Sequence, residues 1–390
     1  MTFPANIKSA QLEMAAGAID AWLLYDFRDS NPILWDVLGF KTHTTRRVFI
    51  YVPASGTAKA LVHHVDAGNF SRLGLDVIPY QGQDGLLQAL AELLRGHSKV
   101  AMEYYPKAAL PTLSWVDAGT VELVRSLGLE VVTSAAMIEA VLGQVSSDAL
   151  EKHRSAARKL GEIVLDAFRF IGQKARSGLG ELGVCDHIRQ RFNDEGLWTD
   201  EGPIVAVNEH SGDPHYEPTQ MSSRPMSRGD WVLIDLWAKE EDGVFADITW
   251  VGYLGERVPA THQKVFEIVT QARDKALEFI VRRHLEGKGA EGWEADRVAR
   301  EHIVAAGYGE HFTHRLGHSL GQVVHGYGPN LDSLETKDNR KLREGLAFTI
   351  EPGIYLPGFG MRSEIDVYYG PGGPEVTSAI QREVVLIPWV

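Results

Sequence analysis

Acidic residues interrupt two strand-like segments of the chain, and this feature restricts its fold more than any other. Asp235 lies inside the run Trp231–Trp237 (WVLIDLW), and Asp247 lies inside Val244–Trp250 (VFADITW). Aspartate is disfavoured in strand interiors, where apolar and β-branched residues are the norm. The residues EEDG between the two runs are typical of a hairpin loop. Because side chains alternate along a strand, such a hairpin can place both carboxylates on one face.

Two glutamates repeat this pattern near the end of the chain. Glu351 directly follows the apolar run FTI, and Glu364 lies two residues after Arg362 in a stretch that reads as extended. Burying four unpaired carboxylates is costly, whereas two divalent cations would balance their charge. His318 lies in GHSLG, where the glycines allow the backbone to approach a site closely. Each residue alone is more often structural, but the five together favour a metal site.

The length of 390 residues predicts two domains. In the first third, short apolar runs alternate with helical repeats, which predicts an α/β domain over residues 1–145. A helix start near Ser146 marks the expected boundary. Two long helical repeats and several strand-rich segments predict a mixed α+β domain over residues 146–390, with helices covering one face of a sheet.

Composition excludes several classes of partner. The 39 Lys and Arg residues against 52 Asp and Glu give a formal net charge of −13 at pH 7, which disfavours nucleic acid and anionic lipid. No apolar run approaches the ~18 residues of a membrane span, and we expect no secretory signal. The single cysteine, Cys185, permits no intrachain disulfide and so favours a reducing compartment. We therefore expect a cytoplasmic protein without nucleic-acid or membrane partners.

Four segments of the chain resemble the metallopeptidases of the pita-bread fold, which include methionine aminopeptidase, aminopeptidase P and prolidase. These segments are DGVFADITW, THRLGHSLGQVVHG, TIEPGIY and GMRSE. The resemblance spans the second domain, and the first third resembles the creatinase-type amino-terminal domain of prolidase and aminopeptidase P. It implies an α+β pita-bread catalytic domain preceded by a smaller, creatinase-like α/β domain.

A dinuclear metal site is the main implication of this resemblance. By analogy, Asp235 chelates one metal, while Asp247 and Glu364 bridge both. His318 and Glu351 bind the other ion, and the ions, about 3.5–4 Å apart, share a hydroxide. The oxygen-rich donor set suits Mn²⁺, with Co²⁺ or Zn²⁺ as alternatives. In the family, Glu351 is also the candidate general base, which takes a proton from the bridging water.

The same resemblance gives catalytic roles to three further residues. His215 in DPHYEP and His325 in VVHG are expected to line the pocket and to help stabilise the tetrahedral intermediate. His314 is expected either to support the metal ligands or to be structural. Arg362 is typical of the proline-specific members and absent from methionine aminopeptidase. Its guanidinium is expected to orient Glu364 or to pair with the substrate carboxylate.

The function that follows is metal-dependent hydrolysis of the Xaa-Pro bond, with a small peptide carrying proline in second position as substrate and dipeptides preferred. One alternative is an Xaa-Pro aminopeptidase that acts on longer peptides. Another is a catalytically silent pita-bread module that binds peptides or proteins.

Three departures from the family pattern bear on this choice. Asp235 and Asp247 are one position further apart than expected, Ser319 replaces the glycine of GHG, and Gly326 replaces an acidic residue, which leaves the subclass open.

A dipeptidase needs one acid and one base to clamp both ends of its substrate. In prolidase-like enzymes the amino-terminal domain of one subunit reaches toward the partner's site, which implies a homodimer. The segment from Trp35 to Arg47 occupies the corresponding loop. Asp36 and Arg46 are our candidates for the clamping charges, and the alternative is that both are ordinary solvated loop charges.

Overall fold

The computed structural model describes residues 3–71 and 75–390. The chain divides into two compact units, Met1–Leu142 and Gly143–Val390. The sequence-based prediction placed this division between residues 145 and 146. Within the described ranges, no helix combines the length and the apolar character needed to cross a membrane.

The amino-terminal unit is built on one mixed sheet. Its strands are β1 (Ala21–Asp26), β2 (Val48–Pro53), β3 (Lys59–His63), β4 (Asp76–Tyr80), β5 (Lys99–Met102) and β6 (Glu130–Thr133). Its helices are α1 (Phe3–Ala16), α2 (Pro32–Leu38), α3 (Ala67–Ser71), α4 (Gly82–Leu93), α5 (Ala118–Ser126) and α6 (Ala135–Ile138). The strand order is β4-β3-β2-β1-β5-β6, and β1 is buried along its whole length. The predicted α/β character of this region is confirmed.

The second unit combines four longer helices with twelve strands. The helices are α7 (Ser147–Lys174), α8 (Glu181–Asp194), α9 (Ala260–Leu285) and α10 (Gly292–Ala305). The first strands are β7 (Ile204–Val207), β8 (Trp231–Ala238), β9 (Ala246–Leu254), β10 (Ala290–Glu291), β11 (Ser319–Leu320) and β12 (Lys341–Leu342). The remaining strands are β13 (Ala347–Ile350), β14 (Gly353–Leu356), β15 (Phe359–Arg362), β16 (Ile365–Gly370), β17 (Gly373–Val376) and β18 (Val385–Ile387). The α+β class predicted for this unit is confirmed.

Two four-stranded sheets and two strand pairs organise the second unit. The sheets have the orders β18-β9-β8-β7 and β11-β13-β16-β17, and the pairs are β14-β15 and β10-β12. α7 begins where predicted, because the Ser146 side chain accepts a hydrogen bond from the backbone N–H of Ala149. Its apolar stripe packs on the sheet that contains β8 and β9.

Alternate residues of β8 belong to different cores. Val232, Ile234 and Leu236 pack with α7 and α8, whereas Trp231 and Leu233 pack in the core that contains α9 and α10. Asp235 continues the row of Trp231 and Leu233, because side chains alternate along a strand. Its carboxylate therefore interrupts this row, whose preceding members, Trp231 and Leu233, fill a hydrophobic core.

Candidate metal centre

The predicted hairpin is present and carries both aspartates on one face. β8 and β9 pair antiparallel, with Asp235 opposite Thr249 and Trp237 opposite Asp247. Directly opposed residues share a face, so Asp235 and Asp247 are diagonal neighbours on it. Both residues are buried, with exposed fractions of 8% and 5%. The local sequence thus holds two carboxylates close together where a sheet would normally bury apolar side chains.

Glu351 and Glu364 lie in breaks between strands, not inside strands as the extended pattern around Glu364 suggested. Residues 351–352 separate β13 from β14, and residues 363–364 separate β15 from β16. Pro352 has no backbone N–H and so cannot continue a ladder. The two breaks face each other, because β13 pairs with β16 and β14 pairs with β15. This pairing brings the two glutamates together.

His318 completes the cluster from the turn that precedes β11. Its Nε2 lies 3.4 Å from Glu351 Oε1 and 3.6 Å from Asp247 Oδ2. Its Nδ1 lies 3.1 Å from the carbonyl oxygen of Ser319, which makes Nδ1 the protonated nitrogen and leaves Nε2 free to bind a cation. A Cβ on Gly317 would collide with a backbone carbonyl oxygen, so only glycine fits before this histidine.

The donor set fits a cation. Asp247, His318 and Glu364 each offer a ligand atom, and these atoms lie within 4.8 Å of one another. Asp247 Oδ1 is buried without a hydrogen-bond partner among the residues that the structure describes. Burial, followed by the charges of Asp235 and Glu351, raises the pKa of Asp247, and burial together with Asp247 raises the pKa of Glu364. Carboxylates packed this closely need positive charge in order to ionise together.

Arg362 supports the cluster with three donors. Its Nη2 donates to Asp235, its Nε donates to Thr249 Oγ1 (2.9 Å) and its Nη1 donates to the Tyr355 hydroxyl (3.2 Å). The Thr249 hydroxyl then donates to Glu364 Oε2 (2.7 Å). Burial alone would lower the pKa of Arg362, but Asp235 and the other groups around it, Tyr355, Glu351 and Glu364, together outweigh this and raise it. These contacts favour the orienting role expected for Arg362 over direct pairing with a substrate carboxylate.

The donor and acceptor of each hydrogen bond from Arg362 through Tyr355 to His314 can be assigned. Tyr355 accepts from the guanidinium, so its hydroxyl proton donates to His314 Nε2 (2.8 Å). His314 Nδ1 then donates to the carbonyl oxygen of Arg315 (2.6 Å), which requires a neutral imidazole. Burial, more than any other cause, lowers the pKa of His314 to about 3, in agreement with this assignment. Of the two roles expected for His314, these contacts favour support of the ligand shell.

The two other predicted histidines are placed differently. The His325 ring lies beside the cluster, with its centroid 4.4 Å from that of His318 and the rings nearly perpendicular. The His318 imidazole is the main cause that lowers the pKa of His325. His215 is exposed, and its backbone N–H donates to Asp213 Oδ1 (2.9 Å). The structure therefore does not bury His215 with the carboxylates, and its catalytic role stays a prediction.

Asp36 and Arg46 both lie in the amino-terminal unit and are exposed. The expectation that Asp36 occupies a loop is wrong, because it lies within α2. That helix begins with a proline, and the Asn31 side chain caps it by accepting from the Ile33 N–H (3.1 Å). Arg46 precedes β2 and donates from Nη1 to Thr45 Oγ1 (2.7 Å). Their clamping roles stay predictions.

Sequence reasoning missed several residues that hold the ligands in place. Both carboxylate oxygens of the fully buried Asp366 accept from the backbone N–H of Asp247, at 3.1 and 3.2 Å. Arg273, buried in α9, donates to Ser363 Oγ (2.7 Å) and so holds the break that contains Glu364. Asp366 had a visible signal, because it is another aspartate inside an apolar strand run. By contrast, nothing in the local sequence indicated that Arg273 would contact Ser363.

Comparisons with known proteins identify the family to which this chain belongs. The model of metallopeptidase family M24 matches residues 155–370. The Bacillus subtilis protein YkvY is 30% identical over 277 residues, which cover 70% of this chain and 72% of that protein. The Xaa-Pro dipeptidase of Lactobacillus helveticus is 35% identical over 229 residues, 58% of this chain and 56% of that protein. The structure of dipeptidase PepE from Mycobacterium ulcerans superposes with a TM-score of 0.77 at 21% identity, covering 99% of this chain and 98% of that one, which shows the shared fold. The chain therefore belongs to metallopeptidase family M24.

Proposed function

We propose that this protein hydrolyses the Xaa-Pro bond of dipeptides with a dinuclear metal centre. The observation that carries the proposal is the buried cluster of carboxylates and one imidazole around Asp247, whose negative charge exceeds what Arg362 alone can balance. Family membership makes peptide-bond hydrolysis the expected chemistry, and the Lactobacillus helveticus relative is named an Xaa-Pro dipeptidase. Both facts point to the same reaction.

In this proposal Asp235 would contribute to one cation, His318 and Glu351 would contribute to the other, and Asp247 and Glu364 would contribute to both. Divalent cations bound there would supply a water of lowered pKa and would polarise the scissile carbonyl. An oxygen-rich set with a single imidazole suits Mn²⁺, and Co²⁺ or Zn²⁺ are the alternatives.

The side chains of the chain itself move the proton and fix the geometry. Glu351 is the least buried of the four carboxylates and is therefore the one best placed to exchange a proton with substrate as general base. The Thr349 hydroxyl donates to its Oε1 (3.1 Å), which orients the carboxylate. His325, whose ring lies beside that of His318, would donate to the substrate oxygen, and His215 would approach from its exposed turn. Arg362 keeps Asp235 in place throughout.

The dipeptide preference rests on the proposed clamp of Asp36 and Arg46, contributed across a homodimer. We place the enzyme in the cytoplasm, in keeping with a single cysteine, Cys185, that is fully buried. Burial raises the pKa of its thiol to about 12, so Cys185 is not a nucleophile at neutral pH.

The test is a length series assayed with defined metals. Leu-Pro, Leu-Pro-Gly and Leu-Gly are compared in protein stripped by a chelator and reloaded with Mn²⁺, Co²⁺ or Zn²⁺. We expect hydrolysis of Leu-Pro only after reloading, with Leu-Pro-Gly cleaved more slowly. Faster cleavage of Leu-Pro-Gly would identify an aminopeptidase. Binding of both proline peptides without hydrolysis under any metal would identify a silent binding module.

A further inference from the structure

A bulge lies beside the strand that carries Asp235. Trp198 pairs with Lys239 in an isolated antiparallel bridge, and Ile204 pairs with Asp235 at the start of β7. Five residues, 199–203, lie between these pairs on one side, but only three, 236–238, lie between them on β8. The two extra residues cannot pair and must leave the plane of the sheet. Bulges of this kind re-aim side chains and are frequent next to active sites.

The bulge folds over the indole of Trp237. A Cβ on Gly202 would lie 2.6 Å from Trp237 Cη2, so the glycine backbone rests directly on the ring. Trp237 Nε1 donates to Asp200 Oδ1 (3.3 Å), which fixes the carboxylate at the edge of the indole. Trp237 itself is directly opposite Asp247 in the hairpin. The indole therefore runs from the candidate metal ligands to an acidic group at the surface.

Asp200 lies at the surface end of the indole, with its Oδ1 3.3 Å from Trp237 Nε1, and its carboxylate is exposed. A ligand that occupies the metal centre and extends along Trp237 would therefore meet a negative charge at its far end.

The substrate geometry determines which group reaches this charge. In an Xaa-Pro dipeptide bound with its carbonyl at the metals, the α-ammonium lies directly beside that carbonyl. It is too close to the reacting bond to reach past an indole ring. A lysine or arginine side chain carries its charge on a long flexible stem whose methylenes pack well on an aromatic surface.

We propose that Trp237 and Asp200 form the pocket for the first substrate residue, and that Asp200 makes this pocket selective for lysine and arginine. This proposal rests on the proposed Xaa-Pro peptidase function and adds the identity of Xaa. Because Asp200 is exposed, its ion pair with the substrate is worth only about two- to fivefold in kcat/KM.

The experiment compares Lys-Pro with norleucine-Pro, which has the same stem without the ammonium. The metal-loaded wild type is expected to prefer Lys-Pro several-fold, and Asp200→Asn is expected to reduce the Lys-Pro to norleucine-Pro ratio by about two- to fivefold. Glu201→Gln removes a charge from the adjacent residue of the same bulge and is expected to leave the ratio at the wild-type value. Equal losses on both peptides in Asp200→Asn would overturn the proposal, as would an unchanged ratio.

A binding measurement separates this proposal from the proposed function. Calorimetric titration of the metal-loaded protein with thioamide analogues of the two peptides, in which sulfur replaces the scissile carbonyl oxygen and slows hydrolysis, gives Kd values with the metals in place. Tighter binding of the Lys-Pro analogue that depends on Asp200 supports the pocket even if no peptide is hydrolysed. In that case the proposed Xaa-Pro peptidase function is refuted and the pocket proposal is not. Equal Kd values for the two peptides in the wild type would refute the pocket independently of catalysis.

Discussion

Replacing Thr249 by valine should weaken metal binding without touching a ligand. Thr249 is fully buried, accepts from Arg362 Nε at 2.9 Å and donates to Glu364 Oε2 at 2.7 Å. Valine keeps the volume and the branched shape, so no cavity forms. It removes one hydrogen bond from a buried guanidinium and one from a buried carboxylate. Hydrogen bonds to charged groups contribute about 1.5–3 kcal/mol each, so the loss is about 3–6 kcal/mol before relaxation.

Only part of this loss should appear as weaker metal binding. The rest lowers the stability of the metal-free protein, because the buried Arg362 loses a hydrogen-bond partner whether or not metal is bound. Removing a group that orients a metal ligand typically reduces affinity 10- to 100-fold. We expect a reduction in this range for Mn²⁺ with Thr249→Val, measured by competition with a chromophoric chelator. The free energy of unfolding of the metal-free protein should fall as well.

The matched control is Thr120→Val in α5 of the amino-terminal unit. Thr120 is also buried, and its hydroxyl donates to Asp117 Oδ2 (2.8 Å) at the start of the helix. Because the Asp117 carboxylate is exposed to water, this change should cost only about 1 kcal/mol of stability, and it should leave Mn²⁺ affinity unaltered. If Thr249→Val folds and binds Mn²⁺ within about twofold of wild type, the Thr249 hydroxyl does not orient Glu364 and the reasoning fails.

Three further predictions follow from the same structure. Asp247→Ala and Glu364→Ala should each abolish metal retention, counted by mass spectrometry, and turnover, and retained activity in either contradicts the bridging roles. Gly353→Ala places a Cβ 2.6 Å from the Tyr355 hydroxyl and should lower kcat while circular dichroism stays native; unchanged kcat would mean that Tyr355 can move freely. Burial raises the pKa of Glu103 to about 7, above its unfolded value, so its contribution to stability is lost as pH rises from about 5 through 7. The free energy of unfolding, measured with urea at several pH values, should therefore fall with pH in the wild type. In Glu103→Gln this fall should be smaller by up to ~1.4 kcal/mol per pH unit, and an identical pH dependence in both proteins would refute the shifted pKa.

Local patterns in the sequence were sufficient for the start of α7 and for the juxtaposition of Asp235 and Asp247, two of the five residues in the cluster. The helical repeat and the Ser146 cap predict α7, and alternation within one hairpin predicts that Asp235 and Asp247 share a face. These inferences need only neighbours in sequence, where propensity and periodicity act directly. An aspartate in an apolar strand run is such a local signal, and Asp366 would have been found by applying it once more.

The other three residues of the cluster, His318, Glu351 and Glu364, depend on pairing between distant segments. Glu351 and Glu364 meet only because β13 pairs with β16 and β14 with β15, which turns two separate strand breaks toward each other. Likewise, Arg273 and Ser363 are ninety positions apart and are joined by the packing of α9. Local sequence propensities do not predict such contacts, because the residues around a strand break or a buried arginine do not specify which distant segment will contact it. The sequence pattern singled out the two glutamates as candidates, but only the strand pairing explains why they meet.

The position of Arg362 also separates two explanations of substrate length selectivity. Three of its five N–H groups donate to Asp235, Thr249 and Tyr355 inside the protein, so the guanidinium cannot turn toward a substrate carboxylate without breaking these bonds. Lysine would retain the charge but only one point of contact, and the fork geometry would be lost. Arg362→Lys should therefore lower kcat for Leu-Pro and Leu-Pro-Gly by the same factor, because it disturbs the Asp235 carboxylate in both cases. A loss confined to Leu-Pro would mean that Arg362 binds the dipeptide carboxylate, and the clamp would then lie within the catalytic unit instead of at Arg46.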